Sequence, residues 1–233
     1  MKPQNVVTDE QWLEARKELL LKEKALTKEL DKLAQSRREL PWVKIEKDYV
    51  FDTENGQKSL SELFEDQSQL IVYHFMFGAD WKEGCPSCSF WADNVNGLDG
   101  HMKARDISFI TVSNAPLEKL LPFKKRMGWD FNWVSSHSNS FNIDFNVSFG
   151  SNRKTDDLVT YNFKDNVYFP SDEAPGVSVF AKDDDGNLYR TYSTYGRGLD
   201  AINCAYSYID LTPNGRNEDP ANTMSWLHHH DRY

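Results

Sequence analysis

Cys85-Pro86-Ser87-Cys88 is the constellation in this 233-residue sequence whose spacing speaks most clearly of chemistry. Two intervening residues let both sulfurs meet across the first turn of a helix. Cys85 then lies beside the free amides of the helix start, where a thiolate is favoured. Cys88 lies one turn inward, placed to attack a mixed disulfide formed on Cys85. Pro86 suits the first helical turn, where its missing N–H costs nothing. Thiol–disulfide exchange needs one exposed thiol of low pKa and one sheltered resolving thiol. The competing reading is a metal site, since two cysteines so spaced are half of a zinc centre. The other half has no partner with ligand spacing: only Cys204, His74, His101, His137 and the run His228-His229-His230 remain. No metal or organic cofactor is expected. A pair retained only for structure is the third reading.

The elements that must position these thiols follow from pattern. Thr8-Asp9-Glu10-Gln11 fits a capping box. No Gly or Pro interrupts the chain from there to Glu39, which predicts a long helix ended by Pro41. Leu19, Leu26, Leu30 and Leu33, broadened by Trp12, Leu13 and Leu20, give it an apolar stripe. The stripe reads either as packing on its own domain or as a dimer arm, hence a homodimer through this helix. Residues 49–51 and the turn at 54–57 suggest a hairpin. Residues 70–77, a near-continuous apolar run, read as a central strand covered on both faces. A loop leads to Cys85, and a helix is expected from there through Leu98. Residues 106–113 read as a second buried strand, and 116–127 as a helix with Pro122 inside it. Residues 129–169 show no period and read as irregular structure with short strands. A strand at 177–180, a turn at 183–186 and a partner strand at 188–192 precede a last helix over 199–210 and a polar tail. This order implies a mixed α/β sheet flanked by helices, with residues 1–40 a helical arm and 41–233 the main domain.

Net charge is −9, with 39% hydrophobic and 13% aromatic residues. Residues 1–48 carry +1 and the rest −10. An acidic main domain repels phosphate backbones, so nucleic acid is excluded as a partner. No apolar run approaches the roughly 18 residues of a membrane span. With three cysteines and no apolar leader visible, the expected compartment is a reducing cytoplasm.

The stretch HFMFGADWKEGCPSCSFWAD, together with VSNAPLEKL, RMGWDFNWVSS, FNIDFNVSF, GVSVFAKDDDGNLYRTYSTYGRGLD and YIDLTPNGR, resembles a bacterial family of thioredoxin-like proteins. The resemblance runs over residues 8–233. It implies a thioredoxin-like fold and dithiol–disulfide oxidoreductase activity, with Cys85 attacking, Cys88 resolving, and a thiol or disulfide as substrate. It also implies a cis proline facing the thiols. Glu173-Ala174-Pro175-Gly176, ahead of a strand, offers Pro175 for that place, against the reading of an ordinary trans loop proline. The family's relatives in thioredoxin proper carry Trp directly before the cysteine pair. Here Trp81 stands four residues ahead and Gly84 is adjacent, a longer loop like that of the peroxiredoxin-type branch. Peroxide reduction on the same pair therefore stays open, as does a non-catalytic ligand-binding module.

Trp81, Arg126 and Arg197 are substrate-binding candidates, the arginines through an anion or a thiolate, with packing and ion pairing as the competing roles. His74 reads as a core histidine rather than a proton carrier. Asp93 reads as solvated or capping rather than a buried acid near the sulfurs. Cys204 reads as a small buried hydrophobe. Asp183-Asp184-Asp185-Gly186 reads as a hairpin turn rather than a calcium loop. The three histidines near the end read as a solvated tail. Trp81, Trp91, Trp129, Phe131 and Trp133 read as aromatic core, with a pocket wall as the alternative.

Overall fold

The computed structural model describes residues 5–150, 153–154 and 156–233. The chain divides into two compact units, 1–41 and 42–233. The first holds α1 (Asp9–Arg38). Its capping box is made on both sides: the Gln11 N–H donates to Thr8 Oγ1 at 3.3 Å and the Thr8 N–H to Gln11 Oε1 at 3.2 Å. No residue of α1 is buried, and Leu19, Leu26, Leu30 and Leu33 all stand exposed.

The second unit runs β1 (Val43–Lys44), β2 (Val50–Thr53), β3 (Gly56–Ser59), a 3-10 turn at Glu62–Phe64, and β4 (Gln69–His74). Then follow α2 (Pro86–Ala92), α3 (Asp99–Lys103), β5 (Ile107–Ser113), α4 (Leu117–Arg126), β6 (Asn132–Ser135) and α5 (Phe141–Asp144). The chain continues through β7 (Val159–Tyr161), β8 (Lys164–Val167), β9 (Gly176–Lys182), β10 (Leu188–Tyr195) and α6 (Cys204–Ile209). One sheet of eight strands has the order β1-β10-β9-β4-β5-β6-β2-β3, and β7 pairs with β8 apart from it. β4, β5 and β6 are mutually parallel, while on the other side of β4, β9 runs antiparallel to it and β10 antiparallel to β9. This is the thioredoxin-like mixed sheet that the resemblance implies.

The period of two along β4 sorts its side chains between two cores. Leu70 and Val72 join Ile110, Val112, Val134, Phe141, Phe145 and Phe180 on one face, under α5 and the 3-10 turn. Ile71 and Tyr73 join Trp91, Ala92, Leu120, Phe123 and Val177 on the other, under α2 and α4. A central strand apolar on both faces is the signature of such burial. The five tryptophans and phenylalanines named as aromatic core fit it, since Trp91, Trp129, Phe131 and Trp133 are buried and Trp81 packs at the edge.

Several boundaries differ from the sequence reading. β4 ends at His74, which pairs with Gly176. The next residue back along β9 is Pro175, which has no N–H to extend the ladder. α2 stops at Ala92 rather than running to Leu98, because the Asn94 side chain turns back and donates to the carbonyls of Phe90 and Trp91. The helix expected over 199–210 is a 3-10 run at Gly196–Ile202 followed by α6. The stretch 129–169, apart from residues 151, 152 and 155, which lie outside the described residues, contains β6, a full member of the main sheet. Its Asn-Trp-Val-Ser is too short to carry a period. The tail is solvated in part: His228 and His230 are exposed, whereas Leu227 and His229 are buried. No helix among the described residues is long and apolar enough to cross a membrane.

Candidate functional site

The backbone of Met76, two residues past β4, ties both cysteines to the end of the central strand. Its carbonyl accepts the Cys85 N–H at 3.0 Å, and its own N–H points at Cys88 Sγ at 3.4 Å. Cys85 caps α2 in an extended conformation, and Pro86 opens the helix. Ser89 locks that first turn from inside, its N–H and hydroxyl both donating to the Cys85 carbonyl at 2.9 Å. One turn on, the buried Tyr73 hydroxyl donates to the Cys88 carbonyl at 3.1 Å.

The two thiols, both free, are unequal. Cys85 is partly exposed, whereas Cys88 is 2% exposed. The Cys88 thiol hydrogen-bonds the Cys85 sulfur, and with help from the Cys88 and Ser87 amides and the Ser87 hydroxyl it brings Cys85 down to about 7 against the pull of burial. Burial first, and then the neighbouring Cys85 sulfur, pushes Cys88 well above the ordinary thiol range. The Cys85 thiol thus gives up its proton more readily than a thiol of ordinary pKa near 8.5. The outer sulfur is the one that ionises more readily, and the inner one the one that keeps its proton.

The loop ahead of Cys85 is built tightly. At Gly78 a Cβ would lie 2.8 Å from the Trp81 indole nitrogen, so Trp81 folds back over glycine. At Gly84 a Cβ would meet the rings of Phe75 at 2.6 Å and Phe123 at 2.9 Å. Lys119 closes the loop from α4 by donating to the carbonyls of Ala79 and Trp81.

The remaining sequence candidates are placed as follows. The Ala174–Pro175 peptide is trans, which corrects the expectation of a cis bond. The Ala174 N–H donates to Val147 O at 2.8 Å, and Pro175 O accepts the Tyr161 hydroxyl at 2.7 Å. Both hold the chain in its approach to β9. Pro175 still lies one residue beyond the His74–Gly176 pair, at the end of β4 from which the Cys85 loop departs. Arg126 is engaged by carboxylates: its Nη1 donates to Glu83 at 2.6 Å, and its Nε and Nη2 both donate to Asp231 at 2.8 Å. The Arg197 side chain is 89% exposed and donates to Asp200.

His74 is a core histidine, 1% exposed, stacked on Phe141 and Phe145 and bonded through Nε2 to Ser178 Oγ at 2.9 Å. Asp93 accepts from the Trp129 indole and from His230, both at 2.7 Å, so it joins α2 to the tail rather than reaching the sulfurs. Cys204 is exposed beside Asn94, not buried, because it opens α6 at the surface. Asp183 closes the β9–β10 hairpin, accepting the N–H groups of Asp185 and Asn187.

Sequence reasoning missed Glu83, Met76 and the tail residues His229, Asp231 and Arg232. Arg232 donates to Glu83 at 2.6 and 2.9 Å, and His229 Nε2 reaches the Gly84 carbonyl at 2.8 Å. The alternating charges that follow the histidine run were the available signal, and they do not name their partners. Two clefts of about 280 Å3 each, sharing Glu65, Asp130 and Asn132, lie on the β6 side of the sheet, and neither is lined by Cys85 or Cys88.

The model of a bacterial family described as "Bacterial protein of unknown function (DUF899)" matches residues 1–233. No curated protein matches the chain. Among solved structures, the chain is similar to peroxidoxin BcpB from Mycobacterium tuberculosis at 15% identity and a TM-score of 0.47, over 73% of this chain and 97% of that one. It is similar to a putative thiol:disulfide interchange protein DsbE from Chlorobium tepidum at 13% identity and a TM-score of 0.43, over 71% and 97%. It is also similar to peroxiredoxin Q from Xanthomonas campestris at 16% identity and a TM-score of 0.43, over 67% and 87%.

Proposed function

We propose that this chain, which belongs to the DUF899 family of bacterial proteins, is a dithiol–disulfide oxidoreductase working through Cys85 and Cys88. The observation that carries the reading is the inequality of the pair. A partly exposed sulfur held near pKa 7 sits against a buried one pushed upward. The Cys85 thiolate attacks one sulfur of a substrate disulfide. A Cys85–substrate disulfide forms, and the other substrate sulfur leaves as a thiolate that takes up a proton. Cys88 then loses its proton and attacks Cys85 Sγ, which releases the second substrate thiol and leaves the Cys85–Cys88 disulfide. Two electrons pass from the protein dithiol to the substrate, and a thiol donor restores the pair by the reverse steps. In this reading Trp81 and Pro175 border the place where the substrate chain lies.

The test is reduction of insulin disulfides in the presence of dithiothreitol. The wild-type protein is expected to accelerate it, and Cys85→Ser to bring the rate back to that of dithiothreitol alone, since the remaining sulfur of the pair is buried. Cys88→Ser is expected to stall as a mixed disulfide on Cys85, visible by mass. Peroxide consumption without disulfide reduction, or a pair that diamide never oxidises, would overturn the proposal.

A further inference from the structure

We propose that His229 is a positioning residue for Cys85, holding from the tail the peptide group that joins Gly84 to the cysteine. The inference rests on the redox reading of the thiol pair and adds a residue to it.

That peptide group is held at both ends. Its carbonyl, Gly84 O, faces His229 Nε2 at 2.8 Å, and its N–H, on Cys85, donates to Met76 O at 3.0 Å. His229 Nδ1 faces Arg126 Nη2 at 3.3 Å. Guanidinium nitrogen only donates, so Nδ1 accepts, Nε2 carries the hydrogen, and the imidazole donates to Gly84 O. Hydrogen bonds in series through one peptide polarise each other and strengthen together. The line runs from His229 through the Gly84–Cys85 peptide to Met76, whose own N–H is aimed at Cys88 Sγ.

His229 has little freedom to do otherwise. It is 2% exposed, and its ring packs edge-on to Phe123 with centroids 5.3 Å apart. The same Phe123 ring covers Gly84. Around the imidazole the charges interlock: Glu83 of the loop takes Arg126 of α4 and Arg232 of the tail, and Arg126 takes Asp231 in a two-pronged pair. Glu83 Oε2 also stands 3.6 Å from His229 Nδ1. Three segments far apart in sequence thus converge on one peptide, the one that sets the start of α2 and the direction of Cys85 Sγ. Without the imidazole, Gly84 O is a buried acceptor with no donor among the described residues. The peptide can then turn to find one, carrying Cys85 away from the amides and the thiol that favour its ionised form.

The experiment follows iodoacetamide alkylation of Cys85 against pH in the full chain, with Cys204→Ala as the background. The wild-type midpoint is expected near 7. His229→Ala is expected to move it toward 8, which lowers the thiolate at pH 7 about fivefold. His229→Gln, which keeps an N–H donor at similar reach, is expected to bring it most of the way back. If His229→Ala fails to fold, the comparison is His229→Met against His229→Gln, at near-constant volume. A midpoint unchanged in the donor-free variants, even with a lowered unfolding temperature, would make His229 a packing residue and overturn the proposal. Alkylation requires no substrate. A wild-type protein that reduces no disulfide therefore removes the proposed activity while the His229 comparison still reads out.

Discussion

Glu173 and His74 sit in the core on the face away from α2, where burial favours the neutral form of each. Glu173 is 2% exposed and accepts from Ser148 at 2.8 Å and Asn114 at 2.9 Å. Burial lifts its carboxyl from 4.5 to about 7, outweighing those donors, with Asp172 adding a little. Burial presses His74 from 6.5 to about 3. The two act on stability with opposite sign. The raised carboxyl contributes fully below pH 4.5, and that contribution is lost as pH climbs through 7. The depressed imidazole contributes fully above pH 6.5, and that contribution is lost as pH falls toward 3. Between pH 4.5 and 6.5 they offset each other. Glu173→Gln is expected to gain stability relative to wild type between pH 4.5 and pH 8, on the order of 3 kcal/mol at most. It is also expected to expose the acid sensitivity due to His74. Urea unfolding at the two pH values checks it, and an equal difference at both would refute the assignment. His74 was legible as a core residue from its apolar neighbours. Glu173 was not, since an acid before a proline carries no mark of burial; only the fold brings Ser148 and Asn114 to it.

The loop Gly78–Gly84 and the start of α2 show what a single element can and cannot reveal. The cysteine spacing, Pro86 and the preceding apolar run announced a strand–loop–helix with the first sulfur at its corner, because those signals are local. The glycine beside Cys85 was visible too, but not its reason. It lies under Phe75 and Phe123, contributed by different elements. Gly84→Ala is therefore expected to force one ring aside, costing about 1–3 kcal/mol as overpacking does. It is also expected to slow Cys85 alkylation at pH 7. Urea unfolding and alkylation rate measured together test this, and a variant as stable and as reactive as wild type would show the rings yield freely. The end of α2 was misplaced because Asn94 terminates it through its own side chain, while Val95 and Leu98 continue the apolar rhythm past the true stop.

Across the whole molecule, strand order was the least legible property. β4, β5 and β9 could be anticipated as buried strands, but nothing local says that β2 and β3 attach beyond β6, or that the two-residue β1 pairs with β10. Such pairings are settled by which faces remain uncovered after the core closes. The long helix was the most legible element, because helix propensity and a capping box are written in neighbouring residues. None of its residues is buried. Deleting residues 1–41 is accordingly expected to leave the unfolding free energy of the sheet unit within about 1 kcal/mol, as for changes at exposed positions. Denaturant unfolding of the shortened chain checks this, and a collapse of the cooperative transition would contradict it. The contact between His229 and Gly84 spans 145 positions. At synthesis rates of about 5–20 residues per second, that separation is roughly 7–30 s on the ribosome. For that interval the emerging Cys85 has no imidazole holding its neighbour and no finished corner to sit in. It is an ordinary thiol among the cell's other thiols, and its chemistry matures only when much later codons have been read.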